Sequence, residues 1–385
     1  MTPNSVADFI REIYRTNEFI ALHEPSFNGN ELSYVTEAIE STYVSSVGKF
    51  VDDFEKNMAE FTKSPMAVAV VNGTAALHIA LKLAGVVRGD LVVTQALTFV
   101  ATCNAISYCG AEPLFIDVDR NTLGLSPGAL DLWLSEYAFI DDVGCCRTRA
   151  GQKRISACLP MHTFGHPVEL DELVAVCKRW QLSLVEDAAE SLGSYYKGRH
   201  TGTFGCIGTL SFNGNKVITT GGGGMLLTDT VIGARAKHLT TTAKVPHAYE
   251  FIHDAIGYNY RLPNLNAALG CAQLEQLGEF LKLKRILASR YIEFFKGDDF
   301  LPIVEPEGCV SNYWLNGVIC NDVVHRDALL KSTNGAGIMT RPIWKLMTHL
   351  PIYSESLRGD LHNSEWLADR VVNLPSSVFR GAQAV

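Results

Sequence analysis

Apolar and polar positions along the chain follow a repeated strand-then-helix order. Short apolar runs rich in β-branched residues, typical of strands, occupy residues 66–71, 90–95, 113–117, 154–161, 183–187, 209–212 and 224–228. Segments with helical spacing occupy residues 74–84, 100–108, 127–134, 170–180 and 234–239. Strands that alternate with helices predict an α/β fold, in which helices cover a mainly parallel, seven-stranded sheet.

The first strand–helix unit has the clearest boundaries. Gly73 and Thr74 follow its strand, and the helix after them repeats apolar residues such as Ile79 and Leu83 until Gly85 ends it. The amino end of this helix is therefore expected at the carboxyl end of a strand.

The pattern changes after Arg261. A long helix is predicted there, followed by a strand, a helical segment and a further strand, at residues 265–295, 313–320, 326–331 and 337–342. We therefore expect a large domain at residues 1–262 and a smaller α+β domain at residues 263–385.

Two further segments have a recognisable pattern but no obvious chemistry. Residues 5–15 predict a short amphipathic helix within an N-terminal arm of the large domain. Residues 141–151 are polar and basic, and predict a surface loop or hairpin.

Composition limits the function. The 385 residues, 47% of them hydrophobic, suffice for one or two substantial cores, and the net charge of −8 offers no basic surface for nucleic acid. The first residues lack the features of a signal peptide, and polar residues interrupt the longest apolar stretch, at 66–87. We expect a cytoplasmic protein that binds neither nucleic acid nor membrane.

The metal-binding residue types show no metal-binding pattern. The ten cysteines include no C-x-x-C pair, so they are expected to be mainly small buried residues. His162 and His166 are four positions apart, but Gly165 and Pro167 oppose the helix that would bring them to one face. No metal is expected.

Four features in chain order can form one site. Gly73 and Thr74 offer a helix N-terminus to a phosphate, Phe99 offers an aromatic ring, and Asp187 ends a strand where open α/β sheets bind ligands. Lys216 precedes a run of four glycines that lets the backbone approach a ligand. Each feature alone has a structural alternative, as a helix cap, a core residue or an exposed loop residue. Together they suit pyridoxal phosphate.

At this point the sequence resembles a known family. The segments NGTAALH, TFVATCNAI, EDAAESLG and SFNGNKVITTGGGGM are similar, in this order, to the motifs of the fold-type I nucleotide-sugar aminotransferases of the DegT/StrS type. The resemblance extends from about Leu22 to the C-terminus. It implies the fold-type I aminotransferase architecture.

The resemblance also implies roles for individual residues. Lys216 is expected to form the Schiff base with the cofactor, Asp187 to pair with the pyridine nitrogen, and Phe99 to stack on the ring. The phosphate is expected to bind to Gly73, Thr74 and Ser211.

One segment implies a partner. GYNYRLPNLNAALG resembles the stretch through which family members reach the neighbouring subunit, with Asn259 on the neighbour's phosphate. A homodimer with shared active sites is therefore expected. Two residues depart from the family: Glu190 replaces a Gln or His near the cofactor's 3′ oxygen, and Gly222 replaces a Glu.

The implied reaction is a ping-pong transamination with L-glutamate as the donor. The cofactor is the electron sink, and a carboxylate such as Asp187 favours the protonated ring nitrogen. Lys216, once released, can move a proton between substrate and cofactor. A sugar dehydratase of the same fold would carry His in place of Lys216, and a non-catalytic regulator would need a DNA-binding motif and a basic face.

Further segments narrow the acceptor. LHEPSFNGNE, YVSSVGKF, HTFGHP, NYWLN and RPIWKL are similar to enzymes of the bacillosamine and legionaminic acid pathways. This implies a UDP-2-acetamido-4-keto-2,6-dideoxyhexose aminated at C4; the alternative is GDP-4-keto-6-deoxymannose, the substrate of a perosamine synthase. His162 and His166 are candidates for the sugar pocket, and Arg261 and Arg341 for the diphosphate or donor carboxylate. Packing or surface roles for these four residues stay open.

Overall fold

The centre of the fold is a seven-stranded sheet, shown by a computed structural model that describes residues 2–297 and 299–378. In chain order its strands are β1 (Met66–Val70), β2 (Leu91–Gln95), β3 (Glu112–Ile116), β4 (Ile155–Cys158), β5 (Ser183–Asp187), β6 (Ile207–Ser211) and β7 (Gly224–Thr228). Their order across the sheet is β1-β7-β6-β5-β4-β2-β3. Only β7 runs against the other six strands. The predicted fold class is confirmed.

Helices follow the strands as the pattern predicts. In the described part of the chain they are α1 (Pro3–Tyr14), α2 (Glu31–Glu40), α3 (Lys49–Thr62), α4 (Gly73–Leu83), α5 (Val100–Tyr108), α6 (Pro127–Tyr137), α7 (Leu170–Arg179), α8 (Thr230–Thr240), α9 (Asn264–Phe294), α10 (Val323–Gly335) and α11 (His362–Ala368). Single 3₁₀ turns occur at Thr163–Gly165 and Met347–His349. The predicted long helix matches α9 within one residue at each end.

Both faces of the central sheet are buried. In β1, Ala67 and Ala69 pack in a hydrophobic cluster with α3 and α9, whereas Val68 and Val70 pack in a second cluster with α4 and α8. Successive side chains of a strand point to opposite faces, so such a strand needs apolar residues at every position. The carboxyl ends of the parallel strands are left at one edge of the sheet.

A second, antiparallel sheet follows α9. Its strands are β8 (Leu301–Pro302), β9 (Asn316–Ile319), β10 (Arg341–Pro342) and β11 (Val371–Leu374), in the order β8-β9-β11-β10. Apolar residues of α1, α10 and the end of α9 pack against this sheet in one cluster. The division of the chain at residue 262 stays a prediction.

Two strands predicted after the long helix are shorter in the structure, and residues with a left-handed backbone occur in the segments that are lost. The strand predicted at residues 313–320 begins only at Asn316, because Tyr313 has a left-handed backbone with φ 47°. The strand predicted at residues 337–342 is reduced to Arg341–Pro342, and Gly337 has φ 74°.

Short hairpins complete the fold. The predicted loop or hairpin at 141–151 is part of a hairpin, and the paired segments are Ala138–Ile140 with Cys146–Thr148, Lys244–Val245 with Ile252–His253, and Tyr195–Tyr196 with both Arg199–His200 and Cys309–Val310. None of the described helices is long and apolar enough to cross a membrane.

Glu186, in β5, is a fully buried carboxylate with a complete set of donors. Its oxygens accept hydrogen bonds from the backbone N–H groups of Gly202, Phe204 and Gly205 at 2.6–2.8 Å, and its Oε2 lies 3.1 Å from Nε2 of His162. Burial alone would raise the pKa of Glu186, but these hydrogen bonds hold it below its ordinary value. Glu186 thus fixes the loop at residues 202–205 against the sheet.

We expect Glu186→Gln to lower the free energy of unfolding by about 2–4 kcal/mol at pH 7, because the amide leaves buried N–H groups without an acceptor. The pKa of Glu186 is depressed in the folded state, so its contribution is present above the unfolded pKa and is lost as the pH falls through the folded pKa. The difference between wild type and variant should therefore shrink in acid. Urea unfolding at pH 7 and pH 4 measures both effects.

Glu172→Gln on the exposed face of α7 is the matched control, expected to change stability by less than about 0.5 kcal/mol. An equally small effect of Glu186→Gln would contradict a structural role for the buried carboxylate.

Candidate active site

A cavity of about 310 Å³ lies at the carboxyl ends of β5 and β6, beside the amino end of α4. It is the position at which open α/β sheets bind ligands. Seven of the predicted site residues line it: Gly73, Thr74, Phe99, Asp187, Glu190, Ser211 and Lys216. The structure therefore brings together residues from four separate segments of the chain.

The amino end of α4 forms one side of the cavity. Asn72 caps the helix, its side chain accepting a hydrogen bond from the Ala75 N–H at 2.8 Å. The N–H groups of the first helical turn, at Gly73 and Thr74, have no acceptor within the helix. A Cβ on Gly73 would lie 2.9 Å from the Cβ of Ser211, so only glycine fits between α4 and β6. The amino end of α4 and the hydroxyl group of Ser211 can together bind a phosphate.

Asp187 forms the floor of the cavity. The residue is 3% exposed; its Oδ2 accepts a hydrogen bond from the Thr102 hydroxyl at 2.8 Å, and its Oδ1 accepts one from the Ala189 N–H at 3.2 Å. Burial raises the pKa of Asp187, although these hydrogen bonds oppose the shift. Among the described residues no cation lies within ion-pair distance of this carboxylate. It is thus suited to a cationic ligand atom.

Lys216 points into the cavity between a carboxylate and an aromatic ring. Its Nζ lies 3.4 Å from Oε1 of Glu190 and 3.9 Å from the centre of the Trp314 ring. The other oxygen of Glu190 accepts a hydrogen bond from the Phe164 N–H at 2.9 Å. Burial raises the pKa of Glu190 to about 7, against the lowering effects of Lys216 and Phe164. Glu190 can therefore gain or lose a proton near neutral pH.

Phe99 stands at the mouth of the cavity. It is the residue before α5, its backbone is extended, and half of its side chain is exposed. An exposed phenyl ring at a cavity wall is free to contact a ligand, whereas a core residue would be buried. The core alternative for Phe99 is thus excluded.

The structure does not bring His162 and His166 to the cavity wall. His162 is fully buried, and its Nδ1 accepts a hydrogen bond from the Val168 N–H, so Nε2 carries the proton donated to Glu186. His166 is also buried, and it packs edge-on against Tyr313. Their burial favours the packing alternative, and the expected role of these two residues in the sugar pocket stays a prediction.

Three further predicted residues lie outside the cavity in this single chain. Asn259 is exposed, and its Oδ1 accepts two hydrogen bonds from the Arg261 guanidinium. Arg341 is exposed in the second sheet, where it donates to Asn334 and to the Thr340 carbonyl. None of these three residues lines the cavity of this chain, and their expected ligand contacts stay predictions.

Comparison with known proteins identifies the family. Residues 25–380 match the model of the DegT/DnrJ/EryC1/StrS aminotransferase family. The chain belongs to this family. This membership confirms two predictions, an aminotransferase and pyridoxal phosphate as its cofactor.

Individual relatives cover nearly the whole aminotransferase. The GDP-perosamine synthases of Escherichia coli O157:H7 and Vibrio cholerae are each 36% identical to it, over 362 and 363 residues, or 93% of this chain and 93% and 94% of theirs. The solved structure of the aminotransferase TlmJ from Streptoalloteichus hindustanus matches with a TM-score of 0.82 at 29% identity, over 92% of this chain and 93% of that one. The fold-type I architecture is thereby confirmed.

The cavity of the aminotransferase fits its cofactor on structural grounds. The space between Gly73 and Ser211 is kept open by the missing side chain, and donors face it. The buried carboxylate of Asp187 can balance a protonated ring nitrogen, and the amine of Lys216 opens to the same space. Phosphate, ring nitrogen and aldehyde carbon of the cofactor each have a chemically suitable group.

Several residues of the site were missed by sequence reasoning. Thr102 positions Asp187, while Trp314 and Trp344 form a wall of the cavity. Both tryptophans occur in segments that carry the family resemblance, NYWLN and RPIWKL. A sequence motif that contains a tryptophan does not indicate which part of the fold the ring contacts. The sequence thus contained the two motifs but did not indicate that they would lie at the cavity.

We expect the visible absorbance of the bound cofactor to show an inflection near pH 7 in the wild type and none there in Glu190→Gln. Above that pH the Glu190 carboxylate faces Lys216, and below it the carboxyl is neutral, whereas glutamine does not ionise. Spectra between pH 5 and 9 measure this. Persistence of the inflection in Glu190→Gln would assign the titration to another group.

Proposed function

We propose that the enzyme transfers the amino group of L-glutamate to the C4 keto group of a nucleotide-linked 4-keto-6-deoxyhexose, with GDP-4-keto-6-deoxymannose as the acceptor. The observation that carries the proposal is the likeness to GDP-perosamine synthases over 93% of the chain. A likeness that spans both sheets includes every segment that lines the cavity.

The cavity residues supply the chemistry this reaction needs. Bound pyridoxal phosphate is an electron sink for the carbon that loses or gains a proton. Asp187 holds a buried negative charge against the ring nitrogen, and Thr102 keeps its carboxylate in place. Lys216 bonds to the cofactor and, once released, moves the proton at the reacting carbon. Gly73, Thr74 and Ser211 bind the phosphate, and Phe99 contacts the ring.

A second acceptor is supported by a different observation. The segments NYWLN and RPIWKL, similar to enzymes that aminate UDP-2-acetamido-4-keto-2,6-dideoxyhexoses, place Trp314 and Trp344 on one wall of the cavity. Tryptophan faces suit the methyl group of an acetamido substituent. The named relatives support the GDP-linked sugar more strongly, so the acetamido sugar is the second candidate.

Turnover of the two keto sugars at equal glutamate concentration tests the proposal. We expect kcat/KM for the GDP-linked sugar to exceed that for the UDP-linked acetamido sugar by about 100-fold or more, because a pocket leaves polar groups unpaired with the wrong substrate. Lys216→Ala is the control and should be inactive with both. A preference for the UDP-linked sugar would overturn the proposed acceptor and select the second candidate, and activity with neither sugar would reject both acceptors.

We further propose that the active enzyme is a homodimer with shared sites, to which Asn259 contributes across the interface. Large apolar side chains near this residue, Tyr249, Phe251 and Ile256, are at least 80% exposed in the single chain. Such a concentration of exposed apolar surface is typical of an interface. A second copy of the chain would cover it.

Mixing two inactive variants tests the shared site. In a dimer with shared sites, Lys216→Ala and Asn259→Asp subunits together create one intact site per mixed dimer, so activity should recover to about a quarter of the wild-type value. The Asn259→Asp change places a negative charge against the phosphate, so that variant alone should lose most activity. Lack of recovery after subunit exchange, or an active monomer in sedimentation, would refute the proposal.

A further inference from the structure

Three segments without an assigned catalytic role, HTFGHP, NYWLN and RPIWKL, meet beside Lys216. From the first, the Phe164 N–H donates to Glu190, and the Phe164 ring lies 5.3 Å from the ring of Trp344 in the third. From the second, Trp314 lies over the Lys216 amine. Phe164 precedes Trp314 by 150 positions and Trp344 by 180 positions. The contact between these segments is therefore a property of the tertiary fold.

Trp314 is held from several directions. Its indole N–H donates to the carbonyl of Asn215 at 2.7 Å, and its backbone N–H donates to Oδ1 of Asn312 at 2.8 Å. Its carbonyl accepts a hydrogen bond from the buried Nζ of Lys284 at 3.1 Å. Only 4% of the residue is exposed. The ring therefore has one orientation, set independently of any ligand.

Asn312 links the segment of Trp314 to the loop that follows β5 of the central sheet. Its amide donates to the carbonyls of Glu190 and Leu192 at 2.8 and 2.9 Å. A Cβ on Gly165 would lie 1.8 Å from Oδ1 of Asn312, so the asparagine fits only because that residue is glycine. Tyr313, with its left-handed backbone, then turns the chain between Asn312 and Trp314.

The Lys216 amine thus has a preformed binding place on the protein. Its Nζ lies 3.9 Å from the centre of the Trp314 ring and 3.4 Å from the Glu190 carboxylate. The face of an indole ring attracts a cation, and the attraction is stronger for a largely buried cation than for an exposed one; the Lys216 side chain is 13% exposed.

We propose that Trp314 is a positioning residue that binds the Lys216 side chain as an ammonium ion between the two half-reactions, after the donor half-reaction has released it from the cofactor and its proton transfer is complete. In the donor half-reaction the glutamate nitrogen passes to the cofactor and water supplies the keto oxygen of 2-oxoglutarate. The glutamate α-carbon is oxidised and loses its proton, the cofactor carbon is reduced and gains that proton, and the bond between Lys216 and the cofactor breaks. The lysine nitrogen gains three protons, which the glutamate ammonium and water supply. Trp314 stabilises the product side of this equilibrium.

The inference rests on the proposed role of Lys216, and it predicts a shift in an equilibrium. Loss of the ring face destabilises released Lys216, so Trp314→Leu should need a ratio of glutamate to 2-oxoglutarate about 2- to 30-fold higher for half conversion of the cofactor. Trp314→Phe keeps a ring but lacks the N–H bond to Asn215, so a smaller shift is expected. Titration of the holoenzyme with glutamate at fixed 2-oxoglutarate, followed by cofactor absorbance, measures this ratio without turnover.

Trp133→Leu is the matched control. Trp133 is similarly buried, at 7% exposed, but it packs in the cluster of α6 and α7 and does not line the cavity. This variant should lose thermal stability and keep the wild-type ratio. Should Trp314→Leu fail to retain the cofactor, Trp314→Met, whose unbranched side chain adapts better to the space, takes its place.

An unchanged ratio in a Trp314 variant that binds the cofactor would overturn the inference. A wrong assignment of Lys216 would give a different experimental result. If Lys216 is not the lysine that bonds to the cofactor, borohydride reduction of wild-type holoenzyme will attach the cofactor to another lysine, detected by peptide mass. A Lys216 adduct with an unchanged ratio rejects only the role of Trp314.

Discussion

Three buried carboxylates within five consecutive residues determine the electrostatics of the site. Glu186, Asp187 and Glu190 are each at most 3% exposed, and a buried charge is costly unless it is paired or hydrogen-bonded. The fold meets this constraint differently for each: backbone donors surround Glu186, a hydroxyl and one N–H hold Asp187, and Lys216 faces Glu190. Of the three, only Asp187 has neither a cationic neighbour nor a full set of hydrogen-bond donors. Its carboxylate is therefore the one best suited to pair with a positively charged ring of a ligand.

This constraint also explains why distant segments must pack closely here. The Glu186 carboxylate requires the loop at residues 202–205, and that of Asp187 requires Thr102 from α5. The Glu190 carboxylate requires the Phe164 N–H, while the Glu190 backbone carbonyl accepts a hydrogen bond from the Asn312 amide. The segment around Asn312 leads into β9, so the second sheet is tied to the loop that carries Glu190. A displacement of that sheet would therefore act on the Lys216 environment as well as on the cavity wall.

The sequence predicts the features of this site that depend on a few neighbouring residues, but it does not predict the contacts between distant segments. Strands and helices follow from periodicity, and Asp187 and Lys216 from strand ends and glycine runs, because these signals act over a few residues. The contact between His162 and Glu186 joins two segments 24 positions apart, and no residue spacing encodes it. Trp314 reaches Lys216 only through a left-handed Tyr313, and Arg341 was assigned by residue type alone.

The size of the cavity restricts how an acceptor can bind. About 310 Å³ is at the lower end for small-molecule pockets, which suits one cofactor-sized ligand. A sugar linked to a nucleoside diphosphate is larger, so only its reacting ring can enter beside the cofactor, and the nucleotide must lie beyond Phe99. There this chain offers an exposed surface without an enclosing wall. Asn259, proposed above to bind a phosphate, does not line this cavity. In the proposed dimer it would instead act on the site of the second copy. The small cavity therefore supports the proposed shared site, in which each chain would hold the reacting atoms and the second copy would help to enclose the substrate.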